Sequence, residues 1–439
     1  MLELPPDPTE AVWIVASGGT AGLLESCNCV SDRRGGLPQR AEILRQMRQK
    51  RAALLLLDLG GNCPGTDLAQ KAAADLGFRA MQQMAYDTVL VGMDDLMLGL
   101  PSLVSASDRS SPPFVIANLR RTWGNFGPFW ETRRIVERGG LWFGITGAAR
   151  SPISDLSLPF ALDDPVAAIT REVEALRPEV DVVVVLSDAL APDDNEELAA
   201  IPGVDLIVAR REAILPPSER KTTVPLVGYD SEGKSLGRIG VEKVEGRLRF
   251  GAPQLFPVSS EGPEVAEIRL LVDEYHESAL ADPKYAATAR GFLLSQPQEK
   301  DKENPYLGHE ACIPCHTAEY QQWKATPHAR AYATLVQNRV QYQSNCVVCH
   351  VTGFGRVDGF HVKLPGDPLA GVQCEACHGP GGNHTINPTK ENIRLSDRAL
   401  CEVCHVESQS PKFKDHFEEY WRKAVHASDA GPPVAAGRS

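Results

Sequence analysis

A pentapeptide repeated four times in the last third of the chain constrains it most. Cys312-Ile-Pro-Cys315-His316, Cys346-Val-Val-Cys349-His350, Cys374-Glu-Ala-Cys377-His378 and Cys401-Glu-Val-Cys404-His405 all read Cys-x-x-Cys-His. Two thiols at i and i+3 can add to the two vinyl groups of a porphyrin, and the next residue's imidazole then reaches the iron as proximal ligand. A single copy could be chance or a thioredoxin-like pair. Four copies, each with its adjacent histidine, point to four covalently held c-type haems and to electron transfer. The proximal histidines are 34, 28 and 27 residues apart, too close for four independent folds. One compact unit fits instead, with the porphyrins filling a thin protein core.

The chain has 439 residues, 43% hydrophobic, enough for two or three domains. Eight of its eleven cysteines belong to the motifs, leaving Cys27, Cys29 and Cys63. Zinc knuckles are the competing explanation, but they leave the four adjacent histidines without a role. The three remaining cysteines could form a disulfide, contact a metal or external haem, or stay as thiols. Covalent haem implies an extracytoplasmic location, although Met1-Leu-Glu-Leu-Pro-Pro does not open a visible export signal. No apolar run reaches eighteen residues, so no membrane span is expected. A net charge of -12 argues against nucleic acid and an anionic bilayer, and suits a redox partner with a basic docking face.

Residues 1–258 read as alternating strands and helices of an α/β layered domain. Val180–Ser187 and Val204–Ala209 are nearly continuous apolar runs, the mark of strands buried on both faces. Val224–Gly228, Ser235–Val244 and Arg247–Gly251 look like a hairpin set closing it, with Gly246 in a turn. Residues 259–300 form a helical linker around Glu264–Ala281, where His276 is either a packing residue or an axial ligand. Residues 301–428 carry the motifs as a mostly α, haem-packed domain, and 429–439 form a Gly/Pro/Ala-rich flexible tail.

Six-coordinate iron needs one distal ligand per haem. No methionine follows Met97, so methionine from the motif domain is excluded and the potentials should be low for c-type haem. The candidates outside the motifs are His276, His309, His328, His361, His384, His416 and His426. Trp323-Lys-Ala-Thr-Pro-His328-Ala, Cys349-His350-Val-Thr-Gly-Phe, Gly371-Val-Gln-Cys-Glu-Ala-Cys-His-Gly-Pro-Gly381 with His384, and Phe413…Tyr420-Trp421…His426 resemble the cytochrome c554 family of tetrahaem proteins over residues 305–427. That resemblance implies three bis-histidine haems with His328, His384 and His426 as distal ligands, and one haem that is five-coordinate. His309, His361 and His416 lie outside the family pattern, and any of them could fill the fourth position.

Upstream, Gly22-Leu-Leu-Glu25, Leu57-Asp58-Leu-Gly60, Gly92-Met-Asp-Asp95, Ala117-Asn118-Leu119 and Asp205-Leu-Ile-Val-Ala209 resemble the calcineurin-like metallophosphoesterase and 5'-nucleotidase domain. That family holds two metals at its strand ends to activate water and clamp phosphate. Here Gly19-Thr-Ala21 replaces the first ligand motif and Gly61 stands where the bridging Asp belongs. Asp94-Asp95 replaces the Asn-His pair, Asp188 the later His, and Arg210-Arg211-Glu212-Ala213 the last pair. No dinuclear metal centre and no phosphoesterase activity are expected, and Arg210-Arg211 could dock an anion or a propionate. The leading reading is an electron carrier with a scaffold or docking domain, serving redox partner proteins that include other multihaem cytochromes. A redox enzyme acting on a small nitrogen or sulfur species at one open haem is the alternative, with Arg356, His361 and Lys363 nearby. A third is a structural subunit of a homo-oligomer, larger assembly or extracellular filament.

Overall fold

The computed structural model describes residues 12–26, 33–50, 53–63, 68–96, 99–109, 112–122, 129–150, 160–281, 304–338, 341, 344–354, 356, 358–360, 367–406 and 410–426. Two compact units divide after Glu277. The 429–439 tail and residues 282–300 of the 259–300 linker lie outside the described residues.

In the first unit, β1 (Val12–Ser17), β2 (Ala53–Asp58), β3 (Thr88–Leu90) and β4 (Phe114–Val115) run parallel in that order. Helices α1 (Leu37–Gln49) and α2 (Leu68–Gln83) make the first two crossovers of this sheet. The short helices α3 (Met93–Leu96) and α4 (Leu100–Arg109) lie between β3 and β4. Further along the chain come β5 (Leu119–Arg121), β6 (Arg133–Arg138), β7 (Leu141–Ala148) and β8 (Phe160–Leu162), then α5 (Pro165–Leu176) and β9 (Val182–Ser187). They are followed by α6 (Pro192–Ala199), β10 (Leu206–Arg210) and β11 (Leu226–Tyr229). The second sheet has the order β11-β10-β9-β7-β6, parallel except at β6, while β5 pairs with β8 alone. The chain then returns to the first sheet with β12 (Ser235–Val244), β13 (Arg247–Phe250) and β14 (Gln254–Pro257), and ends the unit in α7 (Ala266–Ala281).

Strand alternation explains the apolar runs. Val182, Val184 and Leu186 of β9 join β1 and β2 residues in one core, while Val183 and Val185 join Ile169, Val173 and Leu198 of α5 and α6 in another. Both faces of the strand are therefore covered by apolar surface.

The structure corrects the expected hairpin set at one strand. β12 and β13 do form the hairpin around Gly246, but β11 pairs parallel with β10 in the other sheet. A crossover strand of this kind cannot be told from a hairpin arm by hydrophobicity alone, since both are short and apolar.

The second unit is built differently. Its helices are short: Thr317–Lys324, Ala331–Gln337, Ser344–His350, Cys374–His378, Gly382–Ile386, Arg398–Glu402 and Phe417–Ala424. Among the described residues its buried apolar cluster holds Leu335, Val347, Val351, Phe360 and Leu369, with Phe413 buried apart from it. So small a core cannot offset the ordering cost of a chain this long without further apolar filling.

Candidate haem sites and the strand-end site

Each motif is wound as about one helical turn, and this is what the spacing needs. His316 N–H donates to Cys312 C=O at 2.9 Å and His405 N–H to Cys401 C=O at 3.0 Å. Residues i, i+3 and i+4 then share a face, so both thiols and the imidazole can address one ligand. Cys346–His350 and Cys374–His378 lie within regular helices.

Three of the four motif imidazoles face another histidine. His316 and His384 have ring centroids 6.2 Å apart, His405 and His328 6.1 Å, and His378 and His426 5.9 Å. An iron bonded to an imidazole on each side at about 2 Å places the two centroids about 6 Å apart, ring radii included. Tautomers agree with ligation. His350, His378 and His384 have Nδ1 against the carbonyls of Ala331 (2.8 Å), Arg394 (3.0 Å) and Thr389 (3.1 Å). A carbonyl only accepts, so Nδ1 carries the proton and Nε2 keeps its lone pair for a metal. Burial holds His328 and His405 below the usual imidazole range, which also favours the neutral form a metal needs. Exposed Ile386, Leu395 and Val403 offer apolar surface to a porphyrin around these pairs. The residues present thus fit c-type haem.

The motifs are also in contact with one another. The Cys312 thiol meets Cys374, and Cys349 meets Cys404. Cys377 lies within electrostatic reach of Cys401 and Cys404, as His328 does of His350. The motifs therefore stand in the spatial order first, third, fourth, second.

His350 of the second motif faces no imidazole among the described residues. His309 does not supply one: it stacks on Tyr320 at 5.6 Å and packs against Trp323 at 5.0 Å. His416 sits beside Glu419, its Nδ1 4.0 Å from the carboxylate. His361, Lys363, Cys27 and Cys29 lie outside the described residues, and His276 falls in α7.

Linker residues hold the second unit together. Trp323 Nε1 donates to Val372 C=O at 2.7 Å, and Val372 N–H donates to His328 C=O at 3.0 Å. Between these contacts, Gly371 has φ +93°, and a Cβ there would lie 3.1 Å from the Ala329 oxygen. The buried Glu375 carboxylate, inside the third motif, accepts N–H bonds from Leu307, Gly308 and Gly381. Gln373 ties His309 N–H to the Pro368 and Ala370 carbonyls. In the sequence both side chains belong to the family-like segment Gly371–Gly381, and a charged residue between two haem-motif cysteines is a visible signal. Glu375→Ala leaves three backbone donors without their acceptor and is expected to destabilise this unit by about 3 kcal/mol. Denaturant unfolding followed at the haem Soret band measures this; a midpoint equal to wild type would refute the anchor role.

At the strand ends of the first unit, the buried acids Asp58, Asp95 and Asp188 are engaged. Asp58 accepts from Ser17 Oγ (2.6 Å), Gly60 N–H (2.9 Å) and Asn62 Nδ2 (3.1 Å). Asp95 accepts from Gly61 and Asn62 N–H at 2.8 Å and from Gly92 N–H at 3.1 Å. Burial lifts its carboxyl to about 7 against these three amide bonds. Asp188 accepts from Met93 N–H and Arg210 Nη2, both at 2.9 Å. Burial raises Asp58 and Asp188 as well, opposed by the charges of Arg40 and Arg210 respectively. Arg211 turns to Asp230 at 2.5 Å, so both arginines offered for anion docking hold internal carboxylates. Cys63 is buried beside Asn62. Among the described residues, no three His, Cys, Asp or Glu side chains converge as a metal cluster.

Fold and site define a phosphoesterase-type α/β layered domain joined to a multihaem c-type module. Residues 311–379 match the family described as cytochrome c554 and c-prime. Cytochrome c-554 of Nitrosomonas europaea is 36% identical over 107 residues, 21% of this chain and 46% of that protein. The chain thus spans about half the length of the curated relative it matches. A 5'-nucleotidase precursor from Thermus thermophilus superposes with TM-score 0.53 at 21% identity, over 62% of this chain and 59% of that one. Sulfate thiohydrolase SoxB from the same organism gives 0.52 at 16%, over 63% and 62%. The calcineurin-like phosphoesterase YfkN from Bacillus subtilis gives 0.50 at 18%, over 62% and 98%. At these identities the likeness is one of fold. Both resemblances read from the sequence hold, cytochrome c554-like at the C-terminal end and metallophosphoesterase-like upstream.

Proposed function

We propose that the protein transfers electrons through four covalently attached haems set in one continuous row. The observation that carries this reading is the combination of three facing imidazole pairs with motif-to-motif thiol contacts. In it, Cys312 and Cys315, Cys346 and Cys349, Cys374 and Cys377, and Cys401 and Cys404 form the thioethers. His316, His350, His378 and His405 are the proximal ligands, and His384, His426 and His328 the distal ligands of the first, third and fourth motifs. Haem supplies the one-electron chemistry; the chain supplies the ligands that keep its potential low and the spacing that keeps neighbours close. Partners are redox proteins met at the ends of the row, in an extracytoplasmic compartment. No described helix is long and apolar enough to cross a membrane. The α/β unit serves as a non-catalytic scaffold or dock.

Pyridine haemochrome spectra are expected to give four c-type haems per chain, and a lower number would sink this reading. With manganese and a phosphoester substrate, no hydrolysis above background is expected; turnover would restore a catalytic role to the first unit. A second reading, reaction of a small nitrogen or sulfur species at the second motif, is favoured by one observation. His350 alone among the motif histidines faces no described imidazole.

A further inference from the structure

The first unit has a fold whose relatives hold metal at the strand ends, yet the residues there do not fit such a centre. We propose that the Arg210 guanidinium is a built-in cation that takes the place of the metal, so that this unit folds and persists without one. The inference deepens the non-catalytic reading of the unit and rests on it.

Placement is the first argument. Arg210 ends β10 and reaches Asp188, just beyond β9, with Nη2 to Oδ1 at 2.9 Å. The same Nη2 lies 3.4 Å from where a Cβ on Gly61 would stand, just beyond β2. Gly61 has φ +68°, and that Cβ would also lie 3.1 Å from Gly19 Cα in the loop after β1. The guanidinium therefore lies against the place where a bridging acid side chain would project. An aspartate at 61 would be strained in backbone and crowded by Arg210 at once. On the other side, the fully buried Tyr229 at the end of β11 sets its hydroxyl 2.6 Å from the position of a Gly18 Cβ. Arginine and tyrosine side chains fill the crevice in which the ends of β1, β2, β9, β10 and β11 meet.

Charge is the second argument. Asp188 is 4% exposed, so its ionised form needs a cation close by. Arg210 supplies it, and the nearby Asp94, which acts against a second charge on Asp188, makes that cation more necessary. Arg40 lies near Asp58 and donates to Thr20 Oγ1 at 3.0 Å, while Asp95 is spent on three backbone amides. The buried carboxylates of Asp58, Asp95 and Asp188 are thus matched by guanidinium, hydroxyl and amide donors already in the chain. A guanidinium is always charged and cannot be chelated away, so the exchange makes stability independent of metal supply.

The test uses the full-length holoprotein. After dialysis against a chelator and exposure to 1 mM manganese (about the level of a weak site), wild type is expected to hold no stoichiometric manganese by elemental analysis. Its far-UV circular dichroism melting midpoint should stay unmoved. Arg210→Met is expected to lower the midpoint of the first unit by about 5–10 °C, with the haem spectrum unchanged. Asp188→Asn combined with Arg210→Met removes both charges and should recover most of that loss. This double variant also decides the matter if the single one does not fold. Stoichiometric manganese in wild type, a fully stable Arg210→Met, or a double variant no more stable than the single would each overturn the proposal. Phosphoester turnover is scored separately, so an active enzyme without bound metal would defeat the non-catalytic reading and leave the guanidinium assignment standing.

Discussion

Carbon monoxide is expected to bind the reduced protein at one haem per chain, and His384→Ala, His328→Ala or His426→Ala each to raise that number to two. The expectation follows from the facing pairs. Imidazoles about 6 Å apart would leave an iron between them no open position, whereas no described imidazole faces His350, whose Nδ1 lies against the Ala331 carbonyl and 3.5 Å from Thr334 Oγ1. Truncating a distal histidine removes one ligand and no thioether, so the haem stays attached and gains an open side. Replacing the same histidines by methionine should instead keep six-coordination and shift that haem's potential upward, since a thioether favours the reduced iron. Optical titration with carbon monoxide against haem content reads the first result, and redox titration the second. No binding to wild type would mean that a side chain does stand opposite His350. Unchanged stoichiometry in a variant would remove that histidine from the ligand set.

The histidine pairs show how much of the site could be read from residues alone. The motifs fixed which side chains attach haem because the chemistry needs a set spacing, and spacing is visible in one dimension. That His328, His384 and His426 face motif imidazoles required the family likeness, since such a pairing is set by what lies across the ring and not by neighbours in the chain. The row order of first, third, fourth and second was not legible at all. It depends on how Glu375, Gln373 and Thr352 fold one motif back on another, through contacts such as Gln373 N–H to Thr352 Oγ1. The surroundings of His309, three residues before a haem motif, were equally hidden: its ring packs against Tyr320 and Trp323. In the first unit the apolar runs announced the buried strands, but not which sheet β11 would join. That the family's ligand residue types are missing at these positions was plain in sequence. The pairing of Arg210 with Asp188 was not, because the two are twenty-two positions apart and meet only when β9 and β10 pair.

Stability of the first unit is expected to fall as pH rises from 5 to 8, with Asp95 as one cause. The sign follows from proton counting. Burial raises the folded carboxyl of Asp95 to about 7, while the unfolded chain loses this proton near its ordinary value. Between those two limits the folded state binds the extra proton, so the stability it contributes is complete in acid and is lost as pH climbs to about 7. From pH 5 to pH 8 the loss amounts to about two pKa units, or about 3 kcal/mol. Asp95→Asn cannot ionise, and it also turns an NH2 group toward backbone N–H donors now served by a carboxylate oxygen, a pH-independent cost of about 1–3 kcal/mol. The variant should therefore be the weaker protein at pH 5, with the gap to wild type narrowing or reversing by pH 8. Asp58, Asp87 and Asp188 are raised by burial too and stay in both proteins, so the comparison reports Asp95 together with its coupling to Asp58. Urea unfolding of both proteins at the two pH values, followed by far-UV circular dichroism, measures the difference. A constant gap between them would show that Asp95 is ionised throughout, held charged by Gly61, Asn62 and Gly92.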